Sequence, residues 1–495
     1  MLDNGLRVVV SPDRTSPVVA VAVYYDVGMR SEPKGRTGFA HLFEHLMFQG
    51  SANLAKTEHF TYVQGSGGSL NGSTHVDYTN YFEVLPSSAT ERALFLEADR
   101  MRSIVLTQDN LDNQVAVVQN EIRVNVQNRP YGGFPWLSMP PVLFDSFANS
   151  HDGYGSFVDL EAATVPDAQS FFDRYYAPGN AVLVVAGDVE IDQVLTWVTE
   201  LYADIPARKV PPAPAFPEPP LTAERRAVVQ DRLAPAPAVA LAWRTPDPAD
   251  LAAYLPYVVL AEVLTDGDAA RLQDRLLMRD RSATSVGGYL GIMGDALDAR
   301  DPTPLVVEVH HPSEVPVDRI VATVDEEIAR LATDGLDSAE VNRTVARIVS
   351  RYLREIDPVL GRATQMAVFE QQRNRAELVN ELPGLLGAVT AEQVQAAAGT
   401  LGRDNRAVLE LRPLESACPR PRQPPSGWCL AWQRRVPSGC LPSATPGWTT
   451  ACACWLYAAP VSRWPSCGCG CRSPDRVARV GVRTSPAPRC WATPC

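Results

Sequence analysis

The chain has 495 residues, more than one hydrophobic core usually supports, and its 45% hydrophobic and 21% charged content is that of an ordinary globular protein, so two or more domains are expected. A formal net charge of −12 argues against a nucleic-acid-binding surface, which needs clustered Lys and Arg to release phosphate counterions. Met1 is followed by Asp3 and Asn4 rather than by a basic and then an apolar stretch, and no early apolar run approaches bilayer length; the expectation is no membrane span and a cytoplasmic location.

Asn4 and Gly5 mark a turn before a first strand, "NGLRVVV", and residues 18–27 read as a second strand. A loop leads to a helix over 37–49. Helices are also predicted over 87–104 and 108–128, the latter with Leu111, Val115, Val118 and Ile122 at helical spacing. A strand over 180–189 and the helix "IDQVLTWVTELY" close this half. Pro206, Pro211, Pro212, Pro214, Pro217, Pro219 and Pro220 cannot sit inside regular elements, so 206–220 is an extended spacer. Beyond it, a strand over 238–246 and a helix over 249–264 repeat the strand, loop, helix order, with no histidine at the matching place. Strands and helices mix without strict βαβ alternation, which predicts an α+β fold of two homologous domains, each a mostly antiparallel sheet covered by helices. The expected division is 1–205, a Pro-rich linker at 206–222, a second domain at 223–415 and a tail at 416–495.

All ten Cys lie in that tail, with ten Arg, no Lys and a single acid, Asp475. One reading is a disulfide or zinc-knuckle module built on "CAC" and "CGCGC", although C-x-C spacings fit no structural zinc pattern well. The other, adopted here, is a G+C-rich gene translated out of frame after about Leu414, leaving a disordered tail that carries no function.

The stretch "FAHLFEHLMFQGS" places two of only seven histidines four residues apart with a glutamate between them. On a helix His41 and His45 share one face, with Glu44 at its edge. Two imidazoles and a third protein ligand would hold zinc with a fourth position open for water, whose proton a carboxylate outside the ligand set could take. The alternative is a pair of satisfied core or surface histidines, so a third ligand is needed. Glu121, in "VVQNEIRVN", is the best candidate, although taken alone it reads as a solvated helix glutamate.

The H-x-x-E-H helix, the later "VVQNE", the intervening "GGSLNGSTHVDYTNYFEVLP" and the downstream "YYAPGNAVLVVAGDV" together resemble the pitrilysin/insulinase family of inverzincin zinc metallopeptidases, in particular the mitochondrial processing peptidase beta-subunit type and its bacterial relatives. The resemblance covers residues 2–413. It implies one zinc per chain held by His41, His45 and Glu121, with Glu44 as general base. It also implies two homologous α+β domains, and an edge strand at Asn71, Gly72, Ser73 and Thr74 to which an extended peptide substrate adds. The implied function is a metalloendopeptidase subunit acting on peptides or unfolded polypeptide segments. The alternative is a non-enzymatic family member serving a heteromeric complex, whose expected signature, a broken H-x-x-E-H, is not present.

Two departures from the family pattern stand out. Gln114 replaces an acidic residue seven before Glu121. Met278 and Ser285 align where single-chain members carry an Arg and a Tyr seven apart; Arg281 and Tyr289 lie nearby but eight apart. The expected partner is therefore a non-zinc paralogue supplying Arg and Tyr in a heterodimer, or a second copy in a homodimer. His75 and Asp77 read as structural, and His310 and His311 have no carboxylate near them in sequence that suggests a site.

Overall fold

The computed structural model describes residues 1–209 and 215–414. The out-of-frame reading of the tail at 416–495, and the disorder expected of it, lie outside the described residues. The first half holds β1 (Arg7–Pro12), β2 (Val18–Tyr25), β3 (Ser69–Thr74), β4 (Thr79–Pro86) and β5 (Ala181–Gly187), in the sheet order β1-β5-β2-β4-β3. The second holds β6 (Arg225–Asp231), β7 (Ala238–Arg244), β8 (Ser285–Leu290), β9 (Pro304–His310) and β10 (Arg406–Pro413), in the order β6-β10-β7-β9-β8. The two orders are the same topology used twice. In each sheet only the outermost pair, β1 with β5 and β6 with β10, is parallel; every other pair is antiparallel. The expected α+β fold with two mostly antiparallel sheets is what the chain adopts.

Helices of the first half are α1 (Phe39–Leu46), α2 (Glu58–Gly65), α3 (Thr90–Arg102), α4 (Gln108–Ile122), the short α5 (Pro140–Leu143), α6 (Phe147–Ser150) and α7 (Phe157–Glu161), then α8 (Val165–Tyr175) and α9 (Ile191–Tyr202). The second half contributes α10 (Leu251–Thr265), α11 (Val317–Asp334), α12 (Ser338–Ile356), α13 (Val359–Arg373), α14 (Leu378–Gly387) and α15 (Ala391–Thr400).

Alternation along β2, "VVAVAVYY", decides where each layer packs, because successive side chains leave opposite faces of the sheet. Val19, Val21, Val23 and Tyr25 join Phe43, Leu46, Val118 and Phe171 in a core under the first half's own helices. Ala20, Ala22 and Tyr24 join Ala363, Ala367 and Phe369 of α13, so the other face of the first sheet is covered by the second half. The small Ala side chains let this helix lie close. The second sheet repeats the pattern: one face packs on its own helices, the other on Met29, Phe134, Leu143 and Phe144 of the first half.

Element ends differ from the sequence reading for local reasons. The helix expected over 37–49 is shorter, because Gly38 sits at φ +83 and no helix passes through that conformation. The helix expected over 87–104 starts as a 3-10 turn at Ser87–Ala89. The one expected over 108–128 remains α-helical to Ile122 and widens into a π-helical turn at Arg123–Gln127. The described part of the spacer is pinned down: Glu218 accepts from the backbone N–H of Asp145 and Ser146, from Ser146 Oγ and from Asn149 Nδ2.

Candidate metal centre

Helix α1 buries Phe39, Ala40, Leu42, Phe43 and Leu46, and turns His41, Glu44 and His45 to its partly open side. Its start is fixed by the buried carboxylate of Glu32, which accepts the N–H groups of Gly38 and Ala40 at 2.8 and 2.7 Å. His151 Nε2 stands 3.1 Å from the same carboxylate. These bonds serve two of the orphan donors that begin every helix. Gly38 also packs against Gly155: a Cβ on Gly155 would lie 2.4 Å from Thr37 O and 2.6 Å from Gly38 Cα.

Helix α4 starts at Thr107, whose side chain accepts from Asn110 N. Burial of Leu111, Val118 and Ile122 orients it, and Gln114 and Glu121, two turns apart, face α1. There His41 Nε2 and His45 Nε2 are 3.3 Å apart, and Glu121 Oε2 lies 3.4 Å from the first and 3.7 Å from the second. Ligand atoms arranged tetrahedrally at about 2.1 Å from a zinc ion stand about 3.4 Å apart. The triangle therefore fits zinc, and its N, N, O donor set is one zinc accepts.

The same three groups also act on one another electrostatically. Burial would raise the Glu121 carboxyl, but the two imidazoles beside it outweigh burial and hold it down at about 2. Burial opposes the charged form of His45, but Glu121, Glu44 and Gln114 together raise its pKa. Gln114 is buried and touches His45. His41 Nδ1 is buried with no hydrogen-bond partner, and the Tyr154 ring packs edge-on to that imidazole at 5.2 Å, with Trp136 behind it at 5.6 Å. Glu44 stands outside the triangle, its Oε2 accepting from Thr74 Oγ1 at 2.8 Å.

Asn71, Gly72, Ser73 and Thr74 lie on β3, the last strand of its sheet. Asn71 is exposed, whereas a Cβ on Gly72 would come within 3.2 Å of Glu44 Cγ. Met278 is 70% exposed and Ser285 opens β8. Arg281 occupies a turn at φ +49, and Tyr289 packs into the apolar cluster of Ile292, Val306 and Leu409. The reading of His310 needs correction: its Nε2 is 2.7 Å from Glu308 Oε1, because residues two apart on β9 share a face. A second cluster escaped the sequence reading altogether. His59, Glu83 and Glu97 are buried together beside Arg100, which pairs with Glu97.

The profile described as insulinase (peptidase family M16) matches residues 7–131, and that described as the peptidase M16 inactive domain matches 162–348. The chain belongs to the insulinase (M16) peptidase family. Among its relatives, a protein named zinc protease PqqE from Helicobacter pylori is 31% identical over 299 residues, covering 57% of this chain and 64% of that protein. Cytochrome b-c1 complex subunit 1 of Rattus norvegicus is 26% identical over 205 residues, covering 41% of this chain and 42% of that one. The chain thus spans less than two thirds of the length of each of these relatives. In fold it is similar to the crystal structure of a protease from Helicobacter pylori, with a TM-score of 0.76 at 24% identity, over 83% of this chain and 98% of the other. The division between the two M16 profiles follows the chemistry, since the H-x-x-E-H motif and Glu121 lie within the first.

Proposed function

We propose that this M16 chain is a zinc-dependent metalloendopeptidase subunit that hydrolyses peptides or unfolded polypeptide segments. The observation that carries the reading is the triangle of His41 Nε2, His45 Nε2 and Glu121 Oε2 at zinc-ligand spacing. Zinc bound there would supply Lewis-acid polarisation of water and of the scissile carbonyl. Glu44, beside the triangle but not part of it, takes the proton of the attacking water on its carboxylate and returns it to the leaving amine. The edge strand β3 offers backbone groups to an extended peptide, which gives affinity without demanding a sequence, and Asn71 is exposed on it. Gly72 leaves room at Glu44 that a side chain would fill. Met278 and Ser285 give this chain neither cation nor phenol at the aligned positions, so the reading includes a partner, a paralogue without the zinc motif, that supplies Arg and Tyr.

A second reading is a non-enzymatic subunit that keeps the cleft for binding. The likeness to a cytochrome b-c1 complex subunit and the match of 162–348 to an inactive-domain profile favour it. Metal analysis and peptide assay of wild type and Glu44→Gln separate the two. Stoichiometric zinc in both proteins, with hydrolysis lost by at least about a hundredfold in the variant, supports the peptidase. Zinc-free wild type, or equal turnover in both, overturns it.

A further inference from the structure

We propose that Asp298, from the second half, locks the end of β3 through His75 and so holds Thr74 against Glu44, which makes the second half a positioning element for the base. The inference rests on the role proposed for Glu44. Asp298 is 1% exposed, and its Oδ2 lies 3.0 Å from His75 Nδ1. The other imidazole nitrogen, Nε2, is 3.1 Å from Ser73 Oγ. Tyr78 stacks on the ring at 4.3 Å and its carbonyl accepts the His75 N–H at 2.8 Å. Ser73 is held in turn by Asn80 Oδ1, which accepts both its N–H at 3.0 Å and its hydroxyl at 2.6 Å. Thr74 stands between two fixed neighbours, and its hydroxyl donates to Glu44 Oε2.

Asp298 does not reach His75 by chance contact. Its loop, between β8 and β9, is docked on the first half by ionic groups, one pair half-buried and one fully buried. Arg300 pairs with Asp26 at 2.7 Å and its N–H reaches Asp77 Oδ2 at 2.9 Å. Arg30, itself paired with Asp77 at 3.0 Å, donates to Pro302 O at 2.9 Å. A buried pair of this kind is costly to break from one side, since the remaining charge is left without a partner. The order Ser73, His75, Asp298 also has the spacing of a hydrolytic triad, but the serine hydroxyl hydrogen is directed at Asn80, an acceptor that cannot return one, so Ser73 is not an activated nucleophile.

The role of Thr74 is orientation. A carboxylate that must meet a water in one place gains from a donor that fixes its plane, and a methyl group in place of the hydroxyl removes that donor at constant size. The experiment compares wild type, Thr74→Val, Thr74→Ser and Asp298→Asn by peptide hydrolysis, zinc content, and hydrogen exchange of the metal-free proteins. Thr74→Val is expected to lower kcat about tenfold with KM and zinc unchanged, and Thr74→Ser to restore most of it. Asp298→Asn is expected to speed exchange of the amides at 73–75, leave the rest of the sheet as protected as in wild type, and lower kcat without raising KM. Wild-type kcat in Thr74→Val, or wild-type exchange over 73–75 in Asp298→Asn, overturns the inference. A wild-type protein that binds no zinc, or that cleaves nothing even when mixed with the paralogue, overturns the peptidase reading instead, and the exchange comparison still decides whether Asp298 locks the strand.

Discussion

The carboxylate of Glu32 accepts the backbone N–H of Ala40 at 2.7 Å, joining a residue ahead of the H-x-x-E-H helix to its first turn. Because Glu32 also serves Gly38 and His151, Glu32→Ala leaves three buried polar groups without their acceptor. The expected loss is about 1–3 kcal/mol of stability, read from urea unfolding, together with weaker zinc binding by titration. A wild-type midpoint would mean that α1 begins without this support.

Gly155 adopts φ +84, and any side chain there would strike Thr37 O and Gly38. Gly155→Ala is expected to destabilise the protein by about 1–3 kcal/mol, as overpacking does, and to loosen zinc because the displaced backbone begins α1. Thermal melts with and without zinc check both effects.

Glu121→Gln removes the one anionic donor of the triangle while keeping its shape. Zinc is expected to fall well below one per chain after dialysis, whereas Glu44→Gln retains it. Full zinc retention in Glu121→Gln would take that residue out of the ligand set.

The cluster of His59, Glu83 and Glu97 predicts how stability varies with pH. Burial raises Glu83 to about 7 and Glu97 to about 8, and lowers His59 to about 3. Each raised carboxyl takes up a proton on folding, so its contribution is complete below the ordinary glutamate range and is lost as pH climbs through 7 and 8. His59 stays neutral when folded, so its contribution is present above about 6.5 and is lost as pH falls toward 3. Of these three groups only the carboxyls act between pH 6.5 and 8, and they should make the melting temperature decline across that window. Glu83→Gln should flatten the decline; an unchanged slope would assign it to other groups.

With neither charge nor phenol at Met278 and Ser285, the isolated chain is expected to cleave quenched fluorescent peptides slowly. A one-to-one mixture with a paralogue that carries Arg and Tyr should be faster by about two to three orders of magnitude, the usual worth of one oxyanion donor. Equal rates with and without the paralogue would return attention to Arg281 and Tyr289.

What the sequence disclosed was local or periodic. His41, Glu44 and His45 declare themselves because one helix turn carries all three. The repeated strand, loop, helix order foretold two sheets, because apolar runs as continuous as "VVAVAVYY" read as buried strands without knowledge of their neighbours. Glu121 was nominated from the sequence as a third ligand, but alone it is one of many helical glutamates, and the family resemblance carried most of its weight. Glu32, Gly155, Tyr154 and Asp298 were silent for a common reason. Gly155, Tyr154 and Asp298 act on segments far away in the chain, and Glu32 acts across a loop of irregular backbone, so no periodicity marks any of these contacts. Glu83 was hidden differently: an acid on a strand reads as its solvent face until the sheet is covered on both sides.

Helix α13 fills the apolar face of β2 and β5, and a Cβ on Gly187 would already lie 3.1 Å from Val359 Cγ2. The two halves are therefore held by packing as well as by the spacer. A single cut in the spacer should leave two fragments that elute together and separate only in denaturant, since α13 still covers the first sheet. The same two fragments, made from separate genes, should find each other during folding. The first one alone would present Ala20, Ala22, Val182 and Val184 to water as a flat adhesive surface, and its natural fate without the other is aggregation.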